Sequence, residues 1–124
     1  MRAGTVLLVF DETHDLQTYG SILCSLGYKV LTCDSLSKAI HVLETENVSL
    51  VIVSQGSPAF EGRQVLESSQ RLRPHVPVVV IARVLDMQCY LESMDLGAAD
   101  YLERPDPKDM MWVVDTQMRR SEAA

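Results

Sequence analysis

Leu50-Val51-Ile52-Val53-Ser54-Gln55-Gly56-Ser57-Pro58 is the stretch that decides the fold. It opens on four aliphatic residues in a row, three of them β-branched, which leave no polar face for solvent. So short and continuous a run reads as a strand covered on both faces, at the centre of a parallel sheet. Gly56-Ser57-Pro58 then supplies a turn. On either side the pattern repeats. Residues 5–10 (TVLLVF) and 78–82 (VVVIA) are equally apolar, 28–32 (YKVLT) alternates more, and 99–102 (ADYL) is a weaker fifth run.

Helical patterns separate these runs. Residues 15–26 place Leu16, Tyr19, Ile22, Leu23 and Leu26 at 3-4 spacing, and Gly27 follows where a glycine commonly ends a helix. Residues 35–44 carry Leu36, Ala39, Ile40 and Leu43. Residues 62–72 carry Val65 and Leu66 and stop before Pro74, and residues 86–96 carry Met87, Tyr90, Leu91 and Met94 before Gly97. The last helix has the clearest start, with Asp106 as N-cap, Pro107 at N1 and Asp109 at N3, followed by Met110, Met111, Val113, Val114 and Met118. Strand–helix alternation repeated five times predicts an α/β fold of the flavodoxin-like (βα)5 type. Its parallel five-stranded sheet would have order 2-1-3-4-5, with helices on both faces. In such a sheet the ligand crevice lies at the carboxyl ends of the strands, near the switch point between strands 1 and 3.

The 124 residues suit one domain, 1–124, large enough to bury a core without a disulfide or metal. A net charge of −6, from 17 acidic and 11 basic side chains, argues against a nucleic-acid surface. Cys24, Cys33 and Cys89 are odd in number and form no C-x-x-C, so neither a disulfide framework nor a zinc site is expected. No apolar run approaches the roughly 20 residues of a membrane span. Met1 to Gly4 is too short for a secretory leader, so a cytoplasmic protein is expected.

At the predicted crevice stand Asp11 and Glu12 after strand 1, Ser54 to Pro58 after strand 3, Ala82 and Arg83 after strand 4, and Glu103, Arg104 and Pro105 after strand 5. Pro58 and Gly62 lie four and eight residues beyond Ser54, and Gly97-Ala98-Ala99-Asp100-Tyr101-Leu102 precedes Arg104-Pro105. Over about residues 4–120 this arrangement resembles the receiver domains of response regulators, most closely those of the NtrC type. Such domains carry strand-1 acids, a phosphoacceptor aspartate with proline and glycine at those offsets, a Thr or Ser after strand 4, a G-A-x-D-Y-L segment and a Lys-Pro.

The resemblance also identifies what has changed. Ser54 takes the phosphoacceptor position. A carboxylate accepts a phosphoryl group to give a labile acyl phosphate, whereas a serine would need a general base and would give a stable ester. None of His14, His41 and His75 is placed to supply that base. The resemblance implies a Mg²⁺ site formed by the strand-1 acids, the acceptor carboxylate and the carbonyl of Gly56. Asp11 matches the main acid, Glu12 could assist it, and Phe10 replaces the acid before it, so the residual site should bind the ion weakly, if at all. Ala82 replaces the switch hydroxyl. Tyr101, the aromatic that would move with that hydroxyl, should therefore hold one position. Arg104 replaces the lysine and is expected to pair with Asp11 or Glu12 in place of the metal. Pro105 is a cis-proline candidate.

A phosphorylation-independent regulatory module of two-component signalling is therefore expected, and not an enzyme. The alternatives are a phospho-accepting role for Ser54 and a ligand sensor in the vacated acidic pocket. The expected partner is a protein or an attached effector domain, with the chain as the N-terminal part of a longer regulator. It would dock on the face of helix 4, strand 5 and helix 5, where Val84, Leu85, Met87 and Trp112 supply apolar surface. A homodimer would use the same face.

Overall fold

The computed structural model describes residues 4–123. The elements run β1 (Thr5–Val9), α1 (Thr13–Ser25), β2 (Lys29–Cys33), α2 (Leu36–Thr45), β3 (Leu50–Ser54), α3 (Arg63–Leu72), β4 (Val78–Ala82), α4 (Met87–Asp95), β5 (Asp100–Glu103) and α5 (Pro107–Ala123). The five strands form one parallel sheet of order β2-β1-β3-β4-β5, as the alternation predicts.

Because side chains alternate along a strand, each apolar run feeds two cores. Leu7, Val9, Val51, Val53, Val78 and Val80 pack on one face with Ala39 and Leu43 of α2, Val65 and Leu66 of α3, and Cys89 of α4. Val6, Leu8, Leu50, Ile52, Val79 and Ile81 pack on the other with Leu23 of α1 and with Met110, Val113, Val114 and Met118 of α5. Covering each such aliphatic side chain contributes about 1.5–3 kcal/mol, which is why the continuous runs locate the central strands so reliably.

Helix ends follow their local chemistry. The Asp106 carboxylate accepts from the Asp109 N–H at 2.8 Å, the Asp86 carboxylate from Cys89 N–H at 3.0 Å, and the Ser35 hydroxyl from Lys38 N–H at 3.3 Å. α1 closes with Gly27 at φ +93°, its N–H on the Cys24 carbonyl and the Tyr28 N–H on that of Leu23. This paired closure requires a left-handed residue, which glycine adopts without strain. It also occupies the Tyr28 amide, so β2 begins at Lys29 rather than at the expected residue 28. Tyr28 instead turns its hydroxyl to Asp115 of α5, at 2.7 Å.

Candidate functional site

The sheet delivers four loops to one edge, at the carboxyl ends of β1, β3, β4 and β5. On β1, Phe10 is 2% exposed and packs on Tyr19 of α1, with ring centroids 5.4 Å apart. The phenyl ring extends the core that α1 and α5 cover. Asp11 and Glu12 follow, both exposed. Asp11 borders an open cavity of about 230 Å³ that also touches Asp34, Ser35, Ser54, Gly56 and Glu61.

Ser54 ends β3, half-buried. Its hydroxyl accepts from the Gly56 N–H at 3.1 Å and forms no hydrogen bond with a histidine or carboxylate among the described residues. Pro58 and Gly62 serve the loop that follows. A Cβ on Gly62 would collide with the Ser54 carbonyl oxygen, so only glycine lets α3 begin this close to β3. Glu61 fastens the same loop by accepting from the Ser57 N–H at 2.7 Å and the Ser57 hydroxyl at 2.8 Å. Those hydrogen bonds, the Ser57 hydroxyl first among them, lower the Glu61 carboxyl below its ordinary pKa. Gln55, between Ser54 and Gly56, turns inward and is 3% exposed.

Ala82 ends β4, buried, with no hydroxyl to offer. Arg83 crosses to α1, where its Nε and Nη2 donate to Asp15 at 3.1 and 2.9 Å, and Nη2 lies 3.4 Å from Glu12. The expectation that Arg104 neutralises Asp11 or Glu12 is therefore corrected. Arg104 is exposed and forms no ion pair among the described residues, and Arg83 takes Glu12. Order explains the exchange. β4 lies two strands from β1 and β5 three, about 10 against 14 Å at ordinary strand spacing, so Arg83 has the shorter reach. Arg104 sits at φ +39°, its N–H bound to the Ala82 carbonyl at 2.9 Å. The Pro105 expectation is corrected as well. The peptide bonds among the described residues are all trans, as most X-Pro bonds are, and the bend here comes from the left-handed Arg104.

Tyr101 points inward. It is 6% exposed, donates its hydroxyl proton to Gln55 Oε1, accepts from the Asp86 N–H at 3.2 Å, and meets Tyr90 edge-on at 5.6 Å. Burial pushes its phenol pKa up.

The donor set fits Mg²⁺ poorly. Of the positions that the receiver pattern assigns to the ion, Phe10 is apolar and buried, Ser54 offers a neutral hydroxyl in place of a carboxylate, and Glu12 faces Arg83. That leaves Asp11 and the Gly56 carbonyl, too few charged oxygens for a cation that sheds water reluctantly. Among the described residues no three His, Cys, Asp or Glu side chains converge as a metal cluster.

Outside the crevice, the large hydrophobic side chains that are exposed among the described residues all fall between Val84 and Trp112. Val84 is 68% exposed, Met87 59%, Leu91 54% and Trp112 66%, and Leu85, Tyr90, Met94 and Met111 join them on α4, its preceding loop and α5. Sequence reasoning named Val84, Leu85, Met87 and Trp112 as apolar surface but read Tyr90, Leu91 and Met94 as a helical stripe, whereas α4 buries Cys89 and Ser93 instead, and it missed the parts played by Gln55 and Arg83. Gln55 carries no signal, because a glutamine after a strand is normally solvated. Arg83 carries a faint one, a lone cation at the carboxyl end of β4 facing two acids across the sheet.

Comparison with known proteins places residues 6–115 in a match to the response regulator receiver domain family. The response regulator protein FleR of Pseudomonas aeruginosa is 34% identical over 103 residues, covering 83% of this chain and 22% of that protein. The transcriptional regulatory protein GlrR of Escherichia coli is 28% identical over 120 residues, covering 96% and 27% respectively. The chain thus spans about a quarter of the length of these relatives. Among solved structures, a CheY-like receiver domain protein from Methanospirillum hungatei aligns with TM-score 0.89 and 24% identity over 98% of both chains. NtrX from Brucella abortus aligns with TM-score 0.88 and 23% identity over 98% of this chain and 28% of that one.

Proposed function

Because the chain belongs to the family of response regulator receiver domains, we propose that it regulates by protein contact and not by accepting a phosphoryl group. The observation that carries this reading is the joint state of Phe10 and Ser54. The position of one metal-site acid holds a core phenyl ring, and the acceptor position holds a hydroxyl that accepts from the Gly56 amide. A serine needs a base to attack phosphorus, and no such group is hydrogen-bonded to Ser54 among the described residues. On this reading the domain is not an enzyme and binds Mg²⁺ weakly.

Output would pass through the apolar surface of α4, β5 and α5. The chain covers only part of its relatives' length, which favours an effector domain on the same polypeptide as the natural contact, with a homodimer as a second use of the face. Among the described residues no helix is long and apolar enough to cross a membrane, which fits the proposed cytoplasmic location. The cavity beside Asp11 and Glu61 favours a second reading, a small-ligand sensor. A thermal-shift screen tests it, since a ligand at 100 times its Kd stabilises by about 2.7 kcal/mol.

The primary reading is tested by amide NMR of the domain with and without Mg²⁺ and acetyl phosphate. Unmoved resonances at Ser54, Ala82 and Tyr101 are expected. Shifts at all three, abolished by Ser54→Ala, would contradict it.

A further inference from the structure

Gln55 is a polar side chain at a position that faces the core. Its backbone is fixed first, with the N–H on the Ile81 carbonyl at 2.8 Å and the carbonyl accepting from Gly62 N–H at 3.1 Å. The residue is thereby pinned between β4 and the start of α3. A buried carboxamide is costly unless satisfied, and this one is satisfied at both ends. Nε2 donates to the Ser57 carbonyl at 3.2 Å, and Oε1 accepts the Tyr101 hydroxyl proton. The Tyr101 oxygen then accepts from the Asp86 N–H at 3.2 Å, and the Asp86 carboxylate caps α4 at Cys89. Two residues further along the same face of β5, Glu103 accepts the Leu85 N–H at 2.8 Å. The connection from β4 to α4 is thus shaped by side chains of β5, and Gln55 orients one of the two.

We propose that Gln55 is a positioning residue that holds Tyr101 inward and, through the Tyr101 hydroxyl, fixes the segment 84–87 that presents Val84, Leu85 and Met87. Without the Gln55 oxygen the Tyr101 hydroxyl is a buried donor with no acceptor. The ring then gains by swinging to water, which frees the Asp86 amide and removes the edge contact to Tyr90. The crevice and the apolar surface are therefore joined by two hydrogen bonds in series, the first buried and the second partly so. Neither involves the Ser54 hydroxyl, so the device stands whether or not Ser54 takes phosphate.

Residue-resolved amide hydrogen exchange on the domain, on Gln55→Leu, on Tyr101→Phe and on the double variant tests the coupling. Gln55→Leu should speed exchange at Asp86 by about tenfold or more, as local opening does, while amides of β1 and β3 keep their rates. Tyr101→Phe should produce the same rise, and the double variant no further rise, because one path serves both side chains. An unchanged Asp86 rate in Gln55→Leu, or effects that multiply in the double variant, would overturn the proposal. Should Gln55→Leu fail to fold, the unaltered protein decides. A nuclear Overhauser contact between the Tyr101 ring and the Gln55 carboxamide protons is expected, and its absence would equally overturn the proposal.

Discussion

Ser54 and Ala82 end the neighbouring strands β3 and β4, and each lacks a group that a phosphoryl switch would use. Repairing one should not repair the other. Ser54→Asp restores an acceptor carboxylate, yet position 10 still holds a buried phenyl ring in place of an acid, and Ala82 has no hydroxyl to follow the phosphoryl oxygen. The variant is expected to leave the Tyr101 resonances in place on addition of Mg²⁺ and acetyl phosphate; a shift of Tyr101 would refute that. The cysteines allow a second residue-scale prediction. Cys24 is exposed while Cys33 and Cys89 are buried. Desolvation, reinforced by the Asp86 charge, pushes the Cys89 thiol from 9.0 up to about 11. Thiol titration of the native protein at neutral pH should therefore find one fast group, lost in Cys24→Ser. A folded-state pKa above the unfolded one means that Cys89 supports folding fully below about pH 9, and that this support declines as pH rises through about 11. Chemical denaturation across that range should weaken on the alkaline side, and less so in Cys89→Ala.

Elements were legible wherever burial is two-sided or a cap is spelled out. The 78–82 run coincides with β4, and Asp106-Pro107 opens α5 as expected, with the Asp109 amide on the Asp106 carboxylate. Asp106→Ala should lower stability by about 1 kcal/mol in denaturant unfolding. Boundaries shifted where side-chain pattern alone could not tell: β2 and β5 each begin one residue later than their apolar runs. Ser69, fully buried on α3 with no hydrogen-bond partner for its hydroxyl among the described residues, was invisible in sequence, because a serine on an amphipathic helix reads as solvent-facing. A buried unpaired hydroxyl is unfavourable, so Ser69→Ala should raise stability by about 1 kcal/mol. Loss of stability would mean that the hydroxyl has found a partner.

For the whole molecule, the sequence carried the scaffold further than the site. The strands, the helices and the layers they form follow from periodicity and alternation, which are properties of many residues at once. The partner of Arg83 and the inward turn of Gln55 depend on which of several side chains reaches first, and spacing does not encode that. The apolar surface has a direct consequence. Leu91→Ser and Trp112→Ser remove exposed side chains and should change stability by no more than about 0.5 kcal/mol. In analytical ultracentrifugation at high concentration both should reduce self-association or binding of an effector domain; unaltered association would place the contact elsewhere. The central claim is that this receiver scaffold has left phosphotransfer behind, and intact-protein mass spectrometry after incubation with Mg²⁺ and acetyl phosphate tests it most directly. An unmodified mass is the predicted result, and the added mass of one phosphate, absent from Ser54→Ala, would contradict it.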